Sequence, residues 1–286
     1  MARWTPDHVV QARQFRRVFG RRIDWRRPTT FNEKIHWIRR YERSPLLPQL
    51  ANKVTVRRYV EDRLGPGVLT DLIGTWKRPE DIPWTTLPTP CVLKLNSGSG
   101  MNLFIRDRSS LDVTAAGAQL EVWRQRNFYW HLREWAYKNI SPAILGERML
   151  LTADGAIPSD YKLFCFDGVP RLVQVDCDRF TKHTRALYRL PWEFVPVEYI
   201  YPVTPNAAQV PPPPNLQTIV DYARTLAAGL PFVRADFYDL EDRVVFGELT
   251  WYPDAACGSF SPATYDAEFG QWLSLRRIGE RKGRRA

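Results

Sequence analysis

Residues 233–250 read Val-Arg-Ala-Asp-Phe-Tyr-Asp-Leu-Glu-Asp-Arg-Val-Val-Phe-Gly-Glu-Leu-Thr, two β-branched and aromatic runs on either side of a polar connection. This pattern predicts a β-hairpin. Successive side chains of a strand point to opposite faces, so Arg234 and Asp236 share one face of the first strand. Glu248 and Thr250 share one face of the returning strand for the same reason.

Centring the turn on Asp242 places Asp236 opposite Glu248 and Arg234 opposite Thr250. Opposed side chains in an antiparallel pair lie about 5 Å apart at Cβ. Two carboxylates at that distance repel each other unless a cation neutralises them, and oxygen ligands beside an arginine suit Mg²⁺ that carries nucleotide phosphates. A solvated, charged sheet face is the more common outcome for such a pattern, so the hairpin alone does not establish a metal site.

If Asp236 and Glu248 share a face, the number of residues in the turn is restricted. A slip of one residue sends one of the two carboxylates to the opposite face, so the connection should hold an odd number of residues. A three-residue connection usually needs a residue with positive φ, and residues 241–243 contain no glycine. We therefore predict a five-residue connection over residues 240–244.

Length and composition place the chain among ordinary globular proteins. It has 286 residues, 44% of them hydrophobic and 25% charged, which allows one large or two modest domains. No apolar run of about 18 residues and no secretory signal is present, so we expect a cytoplasmic protein. The four cysteines lack C-x-x-C spacing, which argues against structural zinc and a disulfide framework.

The formal net charge of +10 favours acidic partners, namely nucleotides, anionic polymers or an anionic membrane surface. Part of the excess lies at the two ends of the chain, where a solvated terminus is the simpler interpretation and peripheral contact with an anionic membrane is a second one. The aromatic residues mostly lie at core spacing instead of alternating with Lys and Arg, so we expect no nucleic-acid partner.

A second informative stretch begins with an apolar strand over residues 91–96 that carries Lys94. A glycine-rich loop follows it, made of Ser97, Gly98, Ser99 and Gly100. Glycines let the backbone approach an anion closely, so this stretch is typical of a phosphate cradle. A plain hairpin turn would have the same pattern, and the spacing matches neither the P-loop nor the dinucleotide fingerprint.

The rest of the chain alternates predicted helices and strands. Helices are predicted over residues 7–20, 31–43 with Thr30 as cap, 52–64, 111–130 and 216–227, and strands over residues 143–151, 160–166 and 171–175. Asp167-Gly168 predicts a two-residue hairpin turn. The segment that ends in the four prolines of residues 211–214 is predicted to be a surface loop. Lys162, which alternates with Phe164 and Phe166, marks either the rim of a pocket or a guarded edge strand.

The order of these motifs resembles the ATP-grasp superfamily, and more closely its teichuronopeptide-biosynthesis (TupA-like) family. The superfamily pattern is similar to Lys53, Val92-Leu93-Lys94 with Ser97-Gly98-Ser99-Gly100, Leu145-Gly146-Glu147, Asp160-Tyr161-Lys162, Arg234-Ala235-Asp236 and Glu248-Leu249-Thr250. The TupA-like pattern is similar to Phe31-Asn32-Glu33-Lys34, Arg133-Glu134-Trp135, Tyr137-Lys138-Asn139, Asp160-Tyr161-Lys162 and Gly247-Glu248-Leu249-Thr250. The resemblance runs from about residue 28 to about residue 275.

The resemblance implies an α+β chain with the ATP-grasp fold, in which two α+β subdomains with antiparallel sheets grip ATP. The expected divisions are a helical N-terminal extension over residues 1–50, a first subdomain over 51–142, a second over 143–275 and a basic tail over 276–286.

The resemblance also implies a role for each motif. Lys53, Lys94 and Lys162 would contact the phosphates of ATP, and residues 97–100 would close over them. The segment at Glu147 would supply backbone contacts to the adenine. Asp236, Glu248 and Thr250 would hold Mg²⁺, and Arg234 would stabilise the transferring phosphoryl group.

This sequence departs from the superfamily pattern at three places. Thr250 stands where many members have an asparagine ligand, and Ser97 stands where related sequences often have histidine. No large substrate-binding domain of the usual kind precedes Lys53, so we expect substrate recognition to come from the helical N-terminus or from the basic stretch of residues 179–185. Within that stretch, three potential cations lie within seven residues, and we predict that Arg179, His183 and Arg185 bind the acidic substrate.

These features lead to three functional hypotheses. The first is an ATP- and Mg²⁺-dependent carboxylate–amine ligase that acts through an acyl phosphate, on a uronic acid or amino acid of a bacterial surface polysaccharide or peptide-modified glycan. The second is a phosphotransferase of the same fold, in which a hydroxyl attacks ATP instead. The third is a non-catalytic polyanion-binding protein whose affinity falls steeply with salt and does not depend on Mg²⁺ and ATP.

Overall fold

A computed structural model of the chain describes residues 4–177, 182–240 and 242–275. The helices are α1 Asp7–Phe19, α2 Phe31–Tyr41, α3 Leu46–Ala51, α4 Thr55–Leu64, α5 Val113–Arg124, α6 Tyr129–Leu132, α7 Leu216–Ala227 and α8 Thr264–Gln271. The strands are β1 Leu72–Trp76, β2 Cys91–Leu95, β3 Asn102–Ile105, β4 Ile144–Arg148, β5 Asp160–Phe166, β6 Val169–Cys177, β7 Thr184–Arg189, β8 Glu193–Val195, β9 Glu198–Tyr199, β10 Phe232–Asp239, β11 Val244–Thr250 and β12 Phe260–Ser261. In the described residues no helix is long and apolar enough to cross a membrane.

The chain divides into two compact units. The mid-chain unit is Pro45–Pro158, and the split unit comprises the described residues of Met1–Ser44 and Ser159–Ala286. Every strand pair in the ladders of both units is antiparallel, which confirms the predicted α+β class with antiparallel sheets.

These divisions differ from the expected ones at both boundaries. We expected residue 143 to open the second subdomain, but β4 pairs with both β1 and β2 and therefore lies in the mid-chain unit. We expected residues 1–50 to form a separate extension, but residues up to 44 belong to the split unit. The reason is that α2 contributes Phe31 to the core of that unit, where its ring contacts Phe164, Phe166 and Phe232.

The N-terminal helices are fixed to the split unit by capping and by packing. The Thr30 hydroxyl accepts a hydrogen bond from the Glu33 amide while Glu33 reaches back to the Thr30 amide, which confirms Thr30 as the cap of α2. From the same helix the Lys34 ammonium donates to the carbonyls of Gly270 and Leu273 at 2.7 and 2.8 Å. Helix α2 therefore packs directly on α8.

The mid-chain unit contains a four-stranded sheet in the order β1-β4-β2-β3. Leu93 and Leu95 of β2, Ile144 of β4 and Leu120 of α5 are all buried in one apolar cluster. The central strand β2 thus presents its apolar residues to α5 and keeps Lys94 on the opposite face. Strand β1 was not predicted, and the predicted helix over residues 111–130 is two shorter helices, α5 and α6.

The split unit contains a six-stranded sheet in the order β11-β10-β5-β6-β7-β8. Helix α7 packs on one face, against β5, β6 and β10. At the opposite face, the even-numbered residues of β5 and β10 include an aromatic group, Phe164, Phe166 and Phe232. The remaining even positions of these strands are Asp160, Lys162, Arg234, Asp236 and Tyr238, so this face has an apolar half and a polar half.

Two predicted turns in this sheet have different outcomes. The Asp167-Gly168 turn between β5 and β6 is confirmed, with φ of 50° and 83° at its two residues. The loop predicted to precede the four prolines instead contains β7, β8 and β9. Strand β7 is buried at Thr184–Tyr188 without the alternation that reveals a half-buried strand, so periodicity could not identify it.

The hairpin of β10 and β11 has the predicted pairing but not the predicted turn. Asp236 lies opposite Glu248 and Arg234 opposite Thr250, which confirms the register. The strands end at Asp239 and Val244, so the connection holds four residues instead of five. A β-bulge resolves the difference, because Phe237 pairs with Phe246 and leaves Gly247 as the extra residue. The extra residue reverses the alternation of side chains along β11. Asp236 and Glu248 therefore lie on one face although the connection has an even number of residues.

Glycine at position 270 is required by the packing of α8 on the N-terminal region. A Cβ there would lie 2.2 Å from the Thr29 carbonyl oxygen and 2.7 Å from the Thr30 carbonyl carbon. We expect Gly270→Ala to lower the free energy of unfolding by about 2–3 kcal/mol, since backbone atoms must move to admit the methyl group. Urea unfolding followed by tryptophan fluorescence measures the change.

The matched control is Gly117→Ala in α5, where the nearest atom to the added Cβ lies 3.8 Å away. This variant should be up to about 1 kcal/mol more stable than the wild type, because alanine favours a helix more than glycine does. Equal effects of the two substitutions would contradict the packing of α8 described above.

Candidate functional site

Four polar residues form a row across four neighbouring strands of the split unit. The ladders pair Glu248 of β11 with Asp236 of β10, Asp236 with Lys162 of β5, and Lys162 with Gln174 of β6. Side chains that are directly paired lie on the same face of a sheet. The row therefore gathers two predicted metal ligands and the predicted phosphate lysine on the face opposite α7.

Arg234 joins the two carboxylates of the hairpin. Its Nε and Nη2 donate to the two oxygens of Asp236 at 2.8 and 2.7 Å, and Nη2 also donates to Glu248 Oε1 at 3.2 Å. The Thr250 hydroxyl donates to the same Glu248 oxygen at 3.1 Å. The bidentate contact fixes the guanidinium plane, which a lysine could not do.

Lys162 is almost fully buried among three carboxylates. Its ammonium contacts Asp160 directly and lies 3.7 Å from Asp176 Oδ2 and 3.9 Å from Asp236 Oδ2. Strand β5 lies between β10 and β6. The edge-strand interpretation of Lys162 is therefore wrong, and the lysine is an interior charge held by anionic partners.

Asp176 links this cluster to Arg185 on β7. The Arg185 Nε donates to Asp176 Oδ1 at 2.6 Å, and the Gln174 amide donates to Asp176 Oδ2 at 3.0 Å. His183 Nε2 lies 3.2 Å from Asp176 Oδ1, and its ring stacks on Tyr201 with the centroids 3.7 Å apart. The two described residues of the predicted acid-binding stretch thus adjoin the same cluster, whereas Arg179 lies outside the described residues.

Sequence reasoning missed Gln174 and Asp176 as members of this cluster. Both lie on β6 at alternate positions that share a face with Leu172. The predicted strand ended at residue 175, one position short of Asp176. The signal that could have identified them is the alternation of Gln174 and Asp176 with the apolar residues Val173 and Val175.

Burial and neighbouring charges shift the pKa values of these groups. Burial raises the pKa of Asp176, but the Arg185 guanidinium and then Lys162 lower it more, so the pKa of this carboxyl lies well below its ordinary 3.8. Burial lowers the pKa of Arg234, and Asp236 and then Glu248 raise it by more than that. Burial keeps the pKa of Asp236 above 3.8 in spite of Arg234 and Lys162. The Asp236 carboxylate would therefore gain from a further cation.

The donor set of the hairpin fits Mg²⁺. Across residues 4–177, 182–240 and 242–275, no three Asp, Glu, His or Cys side chains cluster as ligands for a metal ion. Mg²⁺ is usually held by one or two carboxylates and completes its shell with water and substrate phosphates. Asp236 and Glu248, with the Thr250 hydroxyl beside them, supply that number of hard oxygen donors. Arg234 uses one lone-pair site on each Asp236 oxygen, and a carboxylate oxygen has two.

The mid-chain unit holds a separate charged cluster around Glu147. Its Oε1 accepts from Arg57 Nη1 at 2.7 Å and its Oε2 accepts from Lys94 Nζ at 2.8 Å. Lys94 lies on β2 and Glu147 on the adjacent β4. Two cations around one carboxylate leave this group with a net positive charge.

The glycine-rich loop is attached to Lys53 in the same unit. The Lys53 ammonium donates to the Gly98 carbonyl at 2.7 Å, and the Lys53 amide donates to the Asn96 carbonyl at 2.8 Å. Gly98 has a φ of 82°, and a Cβ there would lie 2.5 Å from the Phe128 ring. Only glycine fits at this position, so the course of the loop depends on it.

The predicted residues thus fall into two groups, one in each unit. The mid-chain unit carries Lys53, Lys94, Ser97, Gly98, Ser99, Gly100 and Glu147, and the split unit carries Lys162, His183, Arg185, Arg234, Asp236, Glu248 and Thr250. Their roles toward a ligand stay predictions.

The Asp176 carboxylate should stabilise the split unit in a pH-dependent way. A carboxyl whose pKa is lowered on folding adds stability above its ordinary pKa and loses it as the pH falls toward the folded value. We expect Asp176→Asn to lower the free energy of unfolding by about 3–5 kcal/mol at neutral pH, because it leaves buried cations without their partner. The difference from wild type should shrink as the pH falls below 3.8.

Urea unfolding at a series of pH values measures this difference. The control is Asp221→Asn, whose carboxylate pairs with Arg224 on the exposed side of α7. An exposed pair contributes less than about 1 kcal/mol. A pH-independent loss in Asp176→Asn would contradict the electrostatic role of this carboxylate.

A protein-family model matches most of the chain. The family model described as TupA-like ATPgrasp matches residues 33–274. No curated protein matches the chain.

Similar solved structures include an ATP-grasp ligase. The ligase PsnB with its minimal precursor is 13% identical, with 76% of this chain and 60% of that chain covered and a TM-score of 0.42. D-alanine–D-alanine ligase from Bacillus anthracis with ATP is also 13% identical, with 72% and 56% covered and a TM-score of 0.41. N5-carboxyaminoimidazole synthase from Aspergillus clavatus with ADP is 11% identical, with 72% and 45% covered and a TM-score of 0.39.

The chain spans about half to three fifths of the length of these solved structures. The family match covers most of the chain and includes the strands that carry the charged row. The chain therefore belongs to the TupA-like ATPgrasp family.

Proposed function

We propose that the chain is an ATP- and Mg²⁺-dependent carboxylate–amine ligase. The observation that carries this proposal is the cross-strand pair of Asp236 and Glu248, joined by the buried guanidinium of Arg234. Family membership and the hard oxygen donors at this pair support ATP with Mg²⁺ as the cosubstrate.

Each unit contributes residues with a proposed role. Asp236, Glu248 and Thr250 hold Mg²⁺, which would neutralise phosphate charge when bound. Lys53, Lys94 and residues 97–100 contact the nucleotide phosphates, and the backbone at Glu147 contacts the adenine. These roles use charge and position, which are the main requirements of phosphoryl transfer.

Arg234 and Lys162 stabilise the phosphoryl group in transfer to the acid. Both are buried cations held by several carboxylates, so their positions are set before a substrate binds. A preorganised cation needs no reorganisation during the reaction and therefore favours the transition state.

The acid substrate is proposed to bind near Arg179, His183 and Arg185. His183 and Arg185 flank Asp176 in the split unit. The proposed acid is a uronic acid or an amino acid of a bacterial surface polysaccharide or a peptide-modified glycan, and the proposed place of reaction is the cytoplasm. Phosphorylation of a free carboxylate supplies the leaving group that an amine can displace.

Phosphate release tests the reaction class. A ligase liberates inorganic phosphate only when ATP, an acid and an amine are all present, whereas a phosphotransferase leaves the phosphate on its product. In thermal unfolding, a nonhydrolysable ATP analogue at a concentration of a hundred times its Kd should stabilise the protein by about 2.7 kcal/mol in the presence of Mg²⁺. Without Mg²⁺ the analogue should give no stabilisation. Affinity for anionic ligands that does not depend on Mg²⁺ and falls steeply with salt would favour the polyanion-binding hypothesis instead.

Glu248→Gln tests the metal site. The neutral amide keeps the shape of the side chain but cannot hold Mg²⁺ as a carboxylate does. We expect the variant to fold, to retain part of the ATP affinity and to lose about 100-fold or more of turnover, as charge-stabilising groups in active sites do.

The control is Glu268→Gln, whose carboxylate has nearly the same exposure, 38% against 36%, and also pairs with an arginine. This variant should keep both Mg²⁺ dependence and turnover. Wild-type turnover in Glu248→Gln would rule out the metal site.

Lys94→Ala tests the phosphate contacts of the mid-chain unit. Glu147 keeps Arg57 as a partner when Lys94 is removed, so the fold should tolerate the change. We expect ATP affinity to fall about tenfold or more, equivalent to about 1.4 kcal/mol, as measured by titration calorimetry.

Lys77→Ala, at an exposed position of the same unit, is the matched control and should leave ATP affinity unchanged. Unchanged affinity in a folded Lys94→Ala variant would remove the phosphate cradle from the proposal.

A further inference from the structure

The segment after β11 contains three consecutive left-handed residues. Asp254, Ala255 and Ala256 have φ values of 49°, 55° and 58°. For residues other than glycine this conformation costs about 1–2 kcal/mol each. Strain of this kind persists only where surrounding contacts impose it, and it concentrates at functional positions.

A buried arginine from the N-terminal helices holds this turn. Arg39 of α2 donates through Nη1 to the Ala255 carbonyl at 2.6 Å and through Nη2 to Gln14 Oε1 at 2.8 Å. Ala255 and Ala256 are buried, whereas Asp254 is exposed. The turn therefore buries its two alanines and leaves the Asp254 carboxylate at the surface.

Asp254 stands at one end of a series of ion pairs. Its Oδ2 lies 3.7 Å from Arg185 Nη1. From Arg185 the contacts continue through Asp176 and Lys162 to Asp236, at 2.6, 3.7 and 3.9 Å. Asp254 is thus connected to the proposed metal site within the split unit.

Exposure distinguishes Asp254 from the other aspartates of this series. Its side chain is 28% exposed, against 10%, 2% and 6% for Asp160, Asp176 and Asp236. Its distance from Arg185 exceeds that of a hydrogen bond, and the Tyr199 phenol is a hydrogen-bonding neighbour. A carboxylate has about four lone-pair sites, so Asp254 keeps capacity to accept further hydrogen bonds. The neighbouring Tyr199 is fully buried, and burial followed by the charge of Asp254 holds the pKa of its phenol well above 10. The phenol therefore stays protonated and cannot act as a base.

We propose that Asp254 receives the amino group of the second substrate and accepts a proton from it. This inference rests on the proposed ligase function and assigns a residue to its second half-reaction. An amine is protonated near neutral pH and has no lone pair for attack until it loses a proton. A partly exposed carboxylate is the group that both attracts an ammonium ion and can take that proton.

The proposed step begins with proton transfer and ends with the release of phosphate. The ammonium group gives one proton to Asp254, and the lone pair of the neutral nitrogen forms a bond to the acyl carbon. The bond between that carbon and the phosphate oxygen breaks, and its electron pair leaves with the phosphate. The phosphate takes the second proton of the nitrogen, and Asp254 passes the first to water.

The test uses Asp254→Asn in the full chain. Asparagine adopts the left-handed conformation readily, so the turn should persist, and thermal unfolding verifies it. The acid probes are a panel of uronic acids and amino acids, including glucuronic acid and glutamic acid. The amine probes are methylamine, which is protonated at neutral pH, and hydroxylamine, which is largely neutral.

Two reactions separate the steps. Scrambling of a heavy-oxygen label from the bridge to the non-bridge positions of ATP reports acyl phosphate formation and needs no amine. We expect Asp254→Asn to retain this exchange, to lose about 100-fold or more of phosphate release with methylamine and to change less than about threefold with hydroxylamine. Asp221→Asn, with an exposed arginine-paired carboxylate, should match the wild type in every assay.

The outcomes distinguish the inference from the function on which it rests. Normal exchange with an undiminished methylamine reaction, or with equal losses for both amines, overturns the role of Asp254 and leaves the ligase intact. Loss of exchange in Asp254→Asn alone also overturns that role, because the residue would then act before the amine does. Absence of exchange in the wild type across the whole acid panel overturns the proposed ligase function and the inference with it.

Discussion

The bidentate contact between Arg234 and Asp236 is the interaction on which the polar face of the split unit depends. Both groups are buried, and moving an isolated charge out of water is unfavourable by several kcal/mol. Each charge is tolerated only because the next one along the sheet opposes it. The series continues through Lys162, Asp176 and Arg185, so removal of any member takes an opposite charge away from a buried neighbour.

This arrangement of charges depends on one glycine in the hairpin. Gly247 is the extra residue of the β-bulge, and a Cβ there would lie 3.1 Å from the Asp236 carbonyl oxygen. Without the bulge, a four-residue connection would place Asp236 and Glu248 on opposite faces. Arg234 would then contact only one of them, and the hairpin would offer a single carboxylate to a cation. Bulges are frequent beside active sites because they redirect side chains in this way.

The N-terminal helices of the split unit contact both the sheet face and the turn at Asp254. Phe31 joins the aromatic half of the sheet face, while Arg39 supports the left-handed turn at Asp254. Residues near the start of the chain therefore determine the conformation of a turn more than two hundred positions later. Such long-range support explains how three strained residues in succession can be maintained. It also makes the N-terminal segment part of the candidate site's scaffold.

Local sequence pattern determined the elements whose signals are local. The hairpin register, the Asp167-Gly168 turn and the cap at Thr30 follow from side-chain period, turn chemistry and hydrogen-bonding capacity, and the structure confirms all three. The ordered motifs also indicated the family, which the family match confirms. The bulge, the buried strand β7 and the unit boundaries depend on which strands pair across long separations in the chain, and periodicity carries no information about that. The contacts that join Lys162, Asp176 and Arg185 were decided only by tertiary structure, because charges distant in sequence gain by pairing only after folding has removed them from water.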